Sequence, residues 1–400
     1  MLKNEFINQH ITKRANSFFE NDIDDNRQKL SDNIKGKSVL VIGGAGTIGS
    51  SFIKAILPFK PGKLTVVDYS ENGLTELTRD LRSDFNEHIP STYITYPFDF
   101  GSTIFKKMFL ANDFDVVACF AAHKHVRSEK DHLAIEAMIN NNVINTCKLL
   151  DLCCIKPPGH FFSVSTDKAA NPVNVMGASK KLMENALFAY GKYYKISTAR
   201  FANVAFSNGS LLDGFDYRIA KRQPLSSPLD VKRYFVSPEE SGQLCMLACI
   251  LGNTRDIFFP KLDENQMLTF SSIAVAYLKE LGYEAELCES EQEAREKAKL
   301  LNSSSDKYPV YFFSTDTSGE KMYEEFFTSS DSVNYEKYRA LGVINNESVH
   351  STTDIKKMIH DIQSLFQNDS LEKSDVIDFL KSSLMDFNHI ETGKNLDQRM

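Results

Sequence analysis

The chain has 400 residues, of which 42% are hydrophobic and 25% charged, and its formal net charge is -7 at pH 7. These fractions are ordinary for a soluble globular protein, and the length suits one large domain with lobes, or two domains. The negative charge argues against a nucleic-acid binder. No apolar run approaches the roughly 20 residues of a membrane helix, and the start, MLKNEFINQHITKR, lacks a signal peptide's apolar core. We therefore expect neither a nucleic acid nor a membrane as partner.

The seven cysteines show no metal-ligand spacing. Cys153 and Cys154 are adjacent, and the others lie inside apolar runs. An odd, scattered set without a secretion signal is typical of reduced, buried thiols. We predict a cytoplasmic protein without a metal site.

From Ser38 onward, apolar runs typical of strands buried on both faces alternate with helical stretches. The predicted strands are SVLVIGG, KLTVVD, STYITYPFD, FDVVACFAA, HFFSVST and ISTARF. A long helix is expected from about His132 to Leu152. This alternation predicts an α/β fold, a doubly wound parallel Rossmann sheet with right-handed crossovers over residues 37–206.

Three further regions flank this sheet. Residues 1–36 have apolar side chains at near-helical spacing and predict a helical arm that packs on the body or on a second subunit. Residues 207–345 mix short strands, helices and loops, which predicts a smaller C-terminal lobe for the substrate. Residues 346–400 are charged and predicted to be a helical tail, either a docking arm or partly disordered.

The segment GGAGTIG lies between the first strand and the following helix. Gly43 permits the tight turn, Gly46 lets a pyrophosphate approach the backbone, and Gly49 lets helix and strand pack closely. Asp68 ends the second strand about 20 residues later, where a carboxylate can bond the adenosine ribose. Because Asp68 would repel a 2′-phosphate, NAD is favoured over NADP. Asp99 follows the third strand, where a site near the adenine and a solvated turn are equally compatible with the sequence.

Longer motifs identify a family. The segments GGAGTIGS, AAHKHV, STDKAANPVNVMGASKK, ARFANVAFSNGS, KRYFVSPEES and SGEKMYEEF resemble the CapD-type extended short-chain dehydrogenases, nucleotide-sugar 4,6-dehydratases of bacterial surface-glycan synthesis. The resemblance covers roughly residues 36–345. It implies NAD as cofactor and UDP-N-acetylglucosamine as substrate, bound by the smaller lobe. The predicted cofactor residues are Gly43, Gly46, Thr47, Ile48, Gly49, Asp68, Asp99, Ala121 and Lys180.

The implied reaction has three steps. Hydride leaves carbon 4 of the sugar, a base then removes the proton on carbon 5 while the carbon 6 hydroxyl leaves as water, and hydride returns to carbon 6. By the resemblance, Asp167 is the acid for the leaving hydroxyl and Lys168 the base at carbon 5. Both need burial to shift their pKa values towards neutrality. Lys180 matches the lysine that bonds the nicotinamide ribose, and Thr166 matches the hydroxyl of the family's catalytic triad.

Met176 occupies the position where short-chain dehydrogenases carry a catalytic tyrosine, four residues before Lys180. A thioether cannot transfer a proton. One branch of the family also has methionine here. In an enzyme that had lost its activity, sequence decay would not be expected to spare the other motif residues. We therefore predict a working enzyme. Met176 would pack on the sugar or nicotinamide and exclude water. The carbon 4 hydroxyl proton would leave through Thr166 with Asp167, or through a water held by Lys180; the sequence does not choose.

The resemblance also implies substrate contacts. Lys124 is expected near the sugar or pyrophosphate, and an arginine fork suits a diphosphate. The residues matching the nucleotide-sugar site are Lys124, Asn203, Ser207, Ser210 and Arg233. The chain departs from the family pattern at two places: DTSGEK (316–321), where an arginine and a proline are common, and Arg127, where a proline is usual.

Two other functions are compatible with these residues. One is an isomerase that epimerises carbon 5 of a UDP-6-deoxy-N-acetylglucosamine-5,6-ene, which needs Lys168 but releases no water. The other is a non-catalytic NAD-binding scaffold. Because short-chain dehydrogenases often pair through helices that flank the active site, we also expect a homodimer.

Overall fold

The computed structural model describes residues 3–84, 88–316, 318–347 and 350–391. The side chain of Arg127 and the end of the predicted tail, 392–400, lie outside the described part. The strands are β1 Ser38–Ile42, β2 Lys63–Val67, β3 Thr92–Tyr96, β4 Val116–Cys119, β5 His160–Val164, β6 Ile196–Ala199, β7 Asn203–Val204, β8 Leu225–Pro228, β9 Lys232–Arg233, β10 Phe235–Val236, β11 Asp256–Pro260, β12 Leu268–Thr269, β13 Glu284–Leu287, β14 Lys307–Phe313, β15 Val333–Asn334 and β16 Leu341–Asn345.

The helices lie between and around these strands. They are α1 Lys3–Phe6, α2 Glu20–Asp25, α3 Arg27–Ile34, α4 Thr47–Ile56, α5 Glu71–Ser83, α6 Thr103–Leu110, α7 His132–Ile139, α8 Asn145–Ile155, α9 Val175–Tyr190, α10 Leu211–Ala220, α11 Pro238–Leu251, α12 Phe270–Glu280, α13 Glu291–Ala298, α14 Thr352–Leu365 and α15 Lys373–Ser383.

A nine-stranded sheet forms the centre, in the order β15-β16-β11-β6-β5-β4-β1-β2-β3. All six predicted strands form as β1 to β6 and pair in parallel. The predicted doubly wound parallel fold is therefore confirmed. The sheet also extends beyond β6, through parallel β11 and antiparallel β16, into the part of the chain predicted as the smaller lobe. The predicted boundary at residue 206 stays a prediction.

Side chains of the central strands alternate between two apolar cores, because successive residues of a strand point to opposite faces of a sheet. In β1, Val39 and Val41 join the core beneath α4, α5 and α11. Leu40 and Ile42 join the core beneath α6, α8 and α9. Both faces of the sheet are therefore covered, as the continuous apolar runs of β1 to β6 predicted.

The long helix predicted from about 132 to 152 is divided. A π-helical turn, Asn140–Ile144, separates α7 from α8. There the buried Asn142 side chain accepts from the His123 backbone N–H at 2.8 Å and donates to its carbonyl at 2.9 Å. It also donates to Ser179 Oγ of α9 at 3.0 Å. The turn thereby joins the loop after β4 to the helix that carries Met176 and Lys180.

The smaller lobe contains a three-stranded parallel sheet in the order β13-β14-β8, with α10, α12 and α13 around it. The charged stretch after Cys288 forms α13. The N-terminal arm packs on the body: Phe6, Ile7 and Ile11 enter the core of the smaller lobe. Farther along the arm, Arg14 forms a two-point ion pair with Glu240 at 2.8 and 2.9 Å.

The C-terminal helices dock on the body. Residues of α14 and α15 share an apolar cluster with α7, the π turn and α9. Beyond α15 the chain follows the loop after Lys168: Asn388 N–H donates to the Pro172 carbonyl, and Ile390 N–H to the Val173 carbonyl. α14 and α15 therefore cover part of α7 and α9. We expect a homodimer to form through helices that flank the active site, and this homodimer stays a prediction. No helix in the described ranges is long and apolar enough to cross a membrane.

One fully buried ion pair links the sheet to α9. Arg200, directly after β6, donates to both carboxylate oxygens of Glu184 at 2.8 and 2.6 Å. Arg200 also donates to the Phe326 carbonyl at 2.9 Å, and Ser165 Oγ donates to Glu184 at 2.6 Å. Both charged side chains are 0% exposed.

We predict that Arg200→Met lowers the free energy of unfolding by about 3–5 kcal/mol, because it leaves the Glu184 carboxylate buried without a counter-charge. Urea denaturation measures this change. Arg79→Met, which removes the exposed pair with Glu76, is the control and should leave the urea midpoint nearly unchanged. A cost below about 1 kcal/mol for Arg200→Met would contradict the prediction.

Candidate active site

The glycine loop after β1 has the geometry of a dinucleotide cradle. Gly43 has a φ of +74°, and a Cβ there would lie 2.5 Å from the Ala121 backbone nitrogen. A Cβ on Gly49 would lie 2.3 Å from the Gly43 carbonyl oxygen, so the close approach of α4 to the loop requires glycine. At Gly46, by contrast, the nearest atom to an added Cβ is 3.5 Å away. That space at the start of α4 fits a pyrophosphate, since the N-terminus of a helix attracts negative charge.

Asp68 holds this loop in place. Its two carboxylate oxygens accept hydrogen bonds from the Ala45 N–H at 3.0 Å and the Ser70 N–H at 2.9 Å. The carboxylate is therefore positioned at the end of β2, beside the loop, where the sequence predicted a ribose contact. Asp99 accepts from the Gly101 N–H at 2.5 Å, as a turn aspartate does.

A cavity of about 740 Å³ opens along this loop. Its lining includes eight of the nine predicted cofactor residues, together with Lys124: Gly43, Gly46, Thr47, Ile48, Gly49, Asp68, Asp99 and Ala121. The exposed Tyr69 ring and His123 also line it. Burial lowers the pKa of His123, although Asp99 opposes that effect. The shape and donors of this cavity fit an adenine dinucleotide.

Lys180, the ninth predicted cofactor residue, is buried. Its Nζ donates to the Val164 carbonyl at 2.9 Å and contacts Met183 Sδ at 3.6 Å. Burial lowers its pKa to about 8, against the opposing effects of Cys119 and Glu184. The ammonium is thus held at the carboxyl end of β5, two residues before Thr166.

The segment after β5 brings the predicted acid and base together. Thr166 Oγ1 donates to Asp167 Oδ1 at 2.7 Å, and the Lys168 ammonium lies 3.2 Å from the same oxygen. The Asp167 side chain is 4% exposed and that of Lys168 is 16% exposed. A carboxyl group and an amine in direct contact, shielded from water, can exchange one proton and become an acid and a base.

The pKa of Lys168 differs from the prediction. Burial lowers it, but the Asp167 carboxylate and then the Glu324 carboxylate outweigh burial and raise it above its ordinary value. The expected downward shift is therefore wrong for this arrangement, because Lys168 lies between two carboxyl groups at 3.2 and 3.6 Å.

Met176 is 4% exposed and belongs to the apolar cluster of α7, α9 and α15. Its backbone N–H donates to Glu129 Oε1 at 3.1 Å, and its own helix begins at the Asn174 cap, which accepts from the Gly177 N–H. The Met176 side chain is thus packed among apolar residues. The contact of Met176 with a sugar or nicotinamide stays a prediction.

The predicted substrate residues lie after β4, on β7 and β9, and directly before α10. Lys124 donates to the Asn208 carbonyl at 2.8 Å, and the Ser210 side chain caps α10. Ser207 is buried, and Asn203 Nδ2 is buried with no hydrogen-bond partner among the described residues. A buried amide donor of this kind fits a ligand oxygen.

Arg233 is 3% exposed, and its donors are engaged within the protein. Nη1 donates to the Lys232 and Lys321 carbonyls at 2.9 Å each, and Nη2 pairs with Glu320. Nη2 also lies 3.8 Å from Glu324. The arginine therefore holds the loop 320–324 against the site, and its contact with a diphosphate stays a prediction.

Sequence reasoning missed three residues of this site. Glu324 contacts Lys168, Glu184 orders the segment before Thr166, and Asn142 anchors the π turn. Glu324 lies in SGEKMYEEF, and Asn142 in the polar run NNN inside an apolar helix, so both had a signal in the sequence. Glu184 had none, because one glutamate on a long helix does not show that it is buried.

Comparison with known proteins identifies relatives. The family model described as "Polysaccharide biosynthesis protein" matches residues 39–346. An "uncharacterized membrane protein" of Methanocaldococcus jannaschii is 31% identical over 349 residues, which are 82% of this chain and 94% of that relative. The probable polysaccharide biosynthesis protein EpsC of Bacillus subtilis is 31% identical over 76% of this chain, but the match spans 47% of EpsC.

A relative with a specific name is the UDP-N-acetylglucosamine 4,6-dehydratase (inverting) of Campylobacter jejuni. It is 29% identical over 239 residues, which are 57% of this chain and 67% of that enzyme. Among solved structures, Pen from Bacillus thuringiensis superposes with a TM-score of 0.65 at 20% identity, over 83% of this chain and 98% of Pen. The structural likeness supports the fold.

We predict that the protein binds NAD more tightly than NADP, because the Asp68 carboxylate meets a hydroxyl in one and a phosphate dianion in the other. Asp68→Asn should reduce the ratio of the NAD affinity to the NADP affinity at least tenfold, roughly 1.4 kcal/mol. Asp68→Ala should also weaken the binding of both cofactors, because it removes the acceptors for the Ala45 and Ser70 N–H groups. Calorimetric titration measures these affinities, and equal affinities in the wild type would refute this position for Asp68.

Proposed function

The chain belongs to the polysaccharide biosynthesis protein family, among the CapD-type extended short-chain dehydrogenases, and on that premise we propose that it is an NAD-dependent nucleotide-sugar 4,6-dehydratase. Its substrate would be UDP-N-acetylglucosamine and its product a UDP-4-keto-6-deoxy-N-acetylhexosamine for surface-glycan synthesis. The observation that carries the proposal is the buried contact between Asp167 and Lys168. The Campylobacter jejuni relative supports the substrate class through its name.

NAD supplies a hydride acceptor that is restored at the end of each cycle. Gly43, Gly46 and the N-terminus of α4 would hold its pyrophosphate, and Asp68 would bond the adenosine ribose. Lys180, held at the end of β5 by the Val164 carbonyl, is the group proposed for the nicotinamide ribose. The loops after β4 and β5 then bring the substrate to the same edge of the sheet.

Asp167 and Lys168 would carry out the elimination. One proton moves from the Lys168 ammonium to the Asp167 carboxylate, giving a carboxylic acid and a neutral amine in contact. Lys168 then removes the proton on carbon 5, while Asp167 donates its proton to the carbon 6 hydroxyl, which leaves as water. Both side chains are shielded from solvent, and burial disfavours charged groups. The free energy needed to convert the ion pair into the neutral pair is therefore lower here than in water.

The proton of the carbon 4 hydroxyl needs a route that does not use a tyrosine. Thr166 Oγ1 already donates to Asp167 at 2.7 Å. When carbon 6 is reduced, the Lys168 ammonium would return a proton to carbon 5 and be left as a neutral amine beside the Asp167 carboxylate. A chain from the carbon 4 hydroxyl of the next substrate through Thr166 would then restore the proton on Asp167, so that each further turnover begins from the acid and the neutral amine. This direct contact favours the Thr166 route over a water held by Lys180.

The isomerase that epimerises carbon 5 of a 5,6-ene is the second candidate, because the same lysine would serve it. That reaction releases no water and makes no use of the acid beside Lys168, so the Asp167–Lys168 contact favours the dehydratase. A non-catalytic scaffold would have no need of a buried acid–base pair. All seven cysteines are free thiols, which suits the cytoplasmic location that we include in the proposal, and a homodimer remains part of it.

The test is to incubate the protein with UDP-N-acetylglucosamine and NAD in heavy water, and to follow the sugar by NMR and mass spectrometry. We expect a 4-keto-6-deoxy product with one deuteron at carbon 5. Lys168→Ala should abolish deuterium incorporation while NAD still binds, because the base is lost and the cofactor cradle is not. Incorporation near the wild-type rate in Lys168→Ala would refute the assignment, and untouched substrate with the wild type would refute the dehydratase.

A second prediction concerns Met176. Met176→Leu should keep most of the activity, because it preserves apolar volume in the cluster of α7, α9 and α15. Met176→Tyr should give little or no gain, because it adds a hydroxyl among apolar side chains that leave it without a partner. Turnover with saturating substrate measures both. An acceleration by Met176→Tyr of more than about tenfold, roughly 1.4 kcal/mol of barrier, would show that the site lacks only the tyrosine.

A further inference from the structure

The loop 320–324 places a third carboxyl group against the acid–base pair. Glu324 Oε1 lies 3.6 Å from the Lys168 ammonium and 3.8 Å from Arg233 Nη2. The Glu324 side chain is 3% exposed, and its second oxygen, Oε2, has no hydrogen-bond partner among the described residues. A buried carboxylate oxygen without a donor is unfavourable, whereas a protonated carboxyl group leaves less charge unsatisfied.

Within ion-pair distance, the charges of this cluster do not balance. Three carboxyl groups, those of Asp167, Glu320 and Glu324, face two cations, Lys168 and Arg233. Lys321, on the same loop, also acts on Glu324 from a longer distance. Since an unpaired charge is costly in a buried site, the cluster favours one additional proton. Glu320 is the most exposed of the three carboxyl groups, at 20%, and it pairs directly with Arg233.

Glu324, with its buried and unpartnered Oε2, is the carboxyl group best suited to take this proton. Burial raises its pKa above the ordinary value; Lys168 and Arg233 oppose the shift, and Asp167 adds to it. The neutral form of Glu324 is therefore present below this raised pKa and is lost as the pH rises through it.

The protonation of Glu324 changes what Lys168 can do. When Glu324 is ionised, the ammonium lies between two carboxylates and keeps its proton. When Glu324 is neutral, Lys168 has the Asp167 carboxylate at 3.2 Å as its ionised partner. We propose that Glu324 is a positioning residue whose neutral form allows Lys168 to pass a proton to Asp167, and whose ionised form holds Lys168 as an ammonium. This inference rests on the proposed function of Lys168 as the base at carbon 5.

The first test needs no substrate. Lysine labelled with ¹³C at Cε reports the titration of each amine by NMR, and Lys168→Arg identifies the Lys168 signal. We expect Glu324→Gln to lower the pH at which Lys168 loses its proton, because one of its two carboxylate neighbours becomes neutral. Glu325→Gln, the same change at the neighbouring exposed residue, should leave the titration unchanged. An unchanged Lys168 titration in Glu324→Gln would overturn the proposal.

The second test is the pH profile of deuterium incorporation at carbon 5. We expect the wild-type rate to fall on the alkaline side as Glu324 ionises, and the rate of Glu324→Gln to persist there, at least tenfold above the wild type. Glu324→Asp, which keeps a carboxyl group, should retain an alkaline fall, and Glu325→Gln should match the wild type. NAD binding by each variant checks that the fold is intact.

The two hypotheses fail in different ways. A wild-type protein that incorporates no deuterium would refute the dehydratase, while the NMR titration would still test the electrostatic effect of Glu324 on Lys168. A wild type that incorporates deuterium, with a Glu324→Gln profile identical to its own, would overturn the role of Glu324 and leave the proposed reaction intact.

Discussion

The buried ion pair between Glu184 and Arg200 joins the parts of the molecule that must meet for any chemistry to occur. Glu184 lies on α9, two turns of helix from Met176 and one turn from Lys180. Arg200 directly follows β6 and donates to the carbonyl of Phe326, two residues after Glu324. Through Ser165 the same carboxylate orders the backbone directly before Thr166. One pair of charges therefore connects the sheet, the helix and the loop from the smaller lobe.

Such a pair is expensive to desolvate and tolerable only when every donor and acceptor is satisfied. Here Glu184 accepts three hydrogen bonds, and Arg200 donates to Glu184 and to a backbone carbonyl. The ion pair contributes by fixing the geometry of the site. A fully satisfied polar network has few alternative arrangements, so the distances between Asp167, Lys168 and Glu324 are held by groups that do not take part in proton transfer.

The site itself is built on contrasting electrostatics. The cofactor cavity offers backbone N–H groups and one helix N-terminus to a ligand with negative charge, whereas the acid–base cluster holds three carboxyl groups against two cations. Lys180 has its pKa lowered by burial, while Lys168 has its pKa raised by neighbouring carboxylates despite burial. Two lysines of one site thus differ because only one of them has carboxylate partners in direct contact.

The amino-acid pattern by itself determined the Rossmann sheet, because apolar runs, glycine spacing and the acidic end of β2 are local features that dictate strand, turn and helix in succession. It also placed Asp167 and Lys168 side by side, since neighbours in sequence remain neighbours in space. Only the tertiary structure decided that Glu324 lies 3.6 Å from Lys168, that Arg233 is engaged by the loop 320–324, and that the tail packs on α7 and α9. These contacts join residues distant in the chain, and the pKa of Lys168 follows from them. A local sequence pattern does not show which charged residues come together in a buried site. The direction of the Lys168 pKa shift could therefore not be predicted from the sequence.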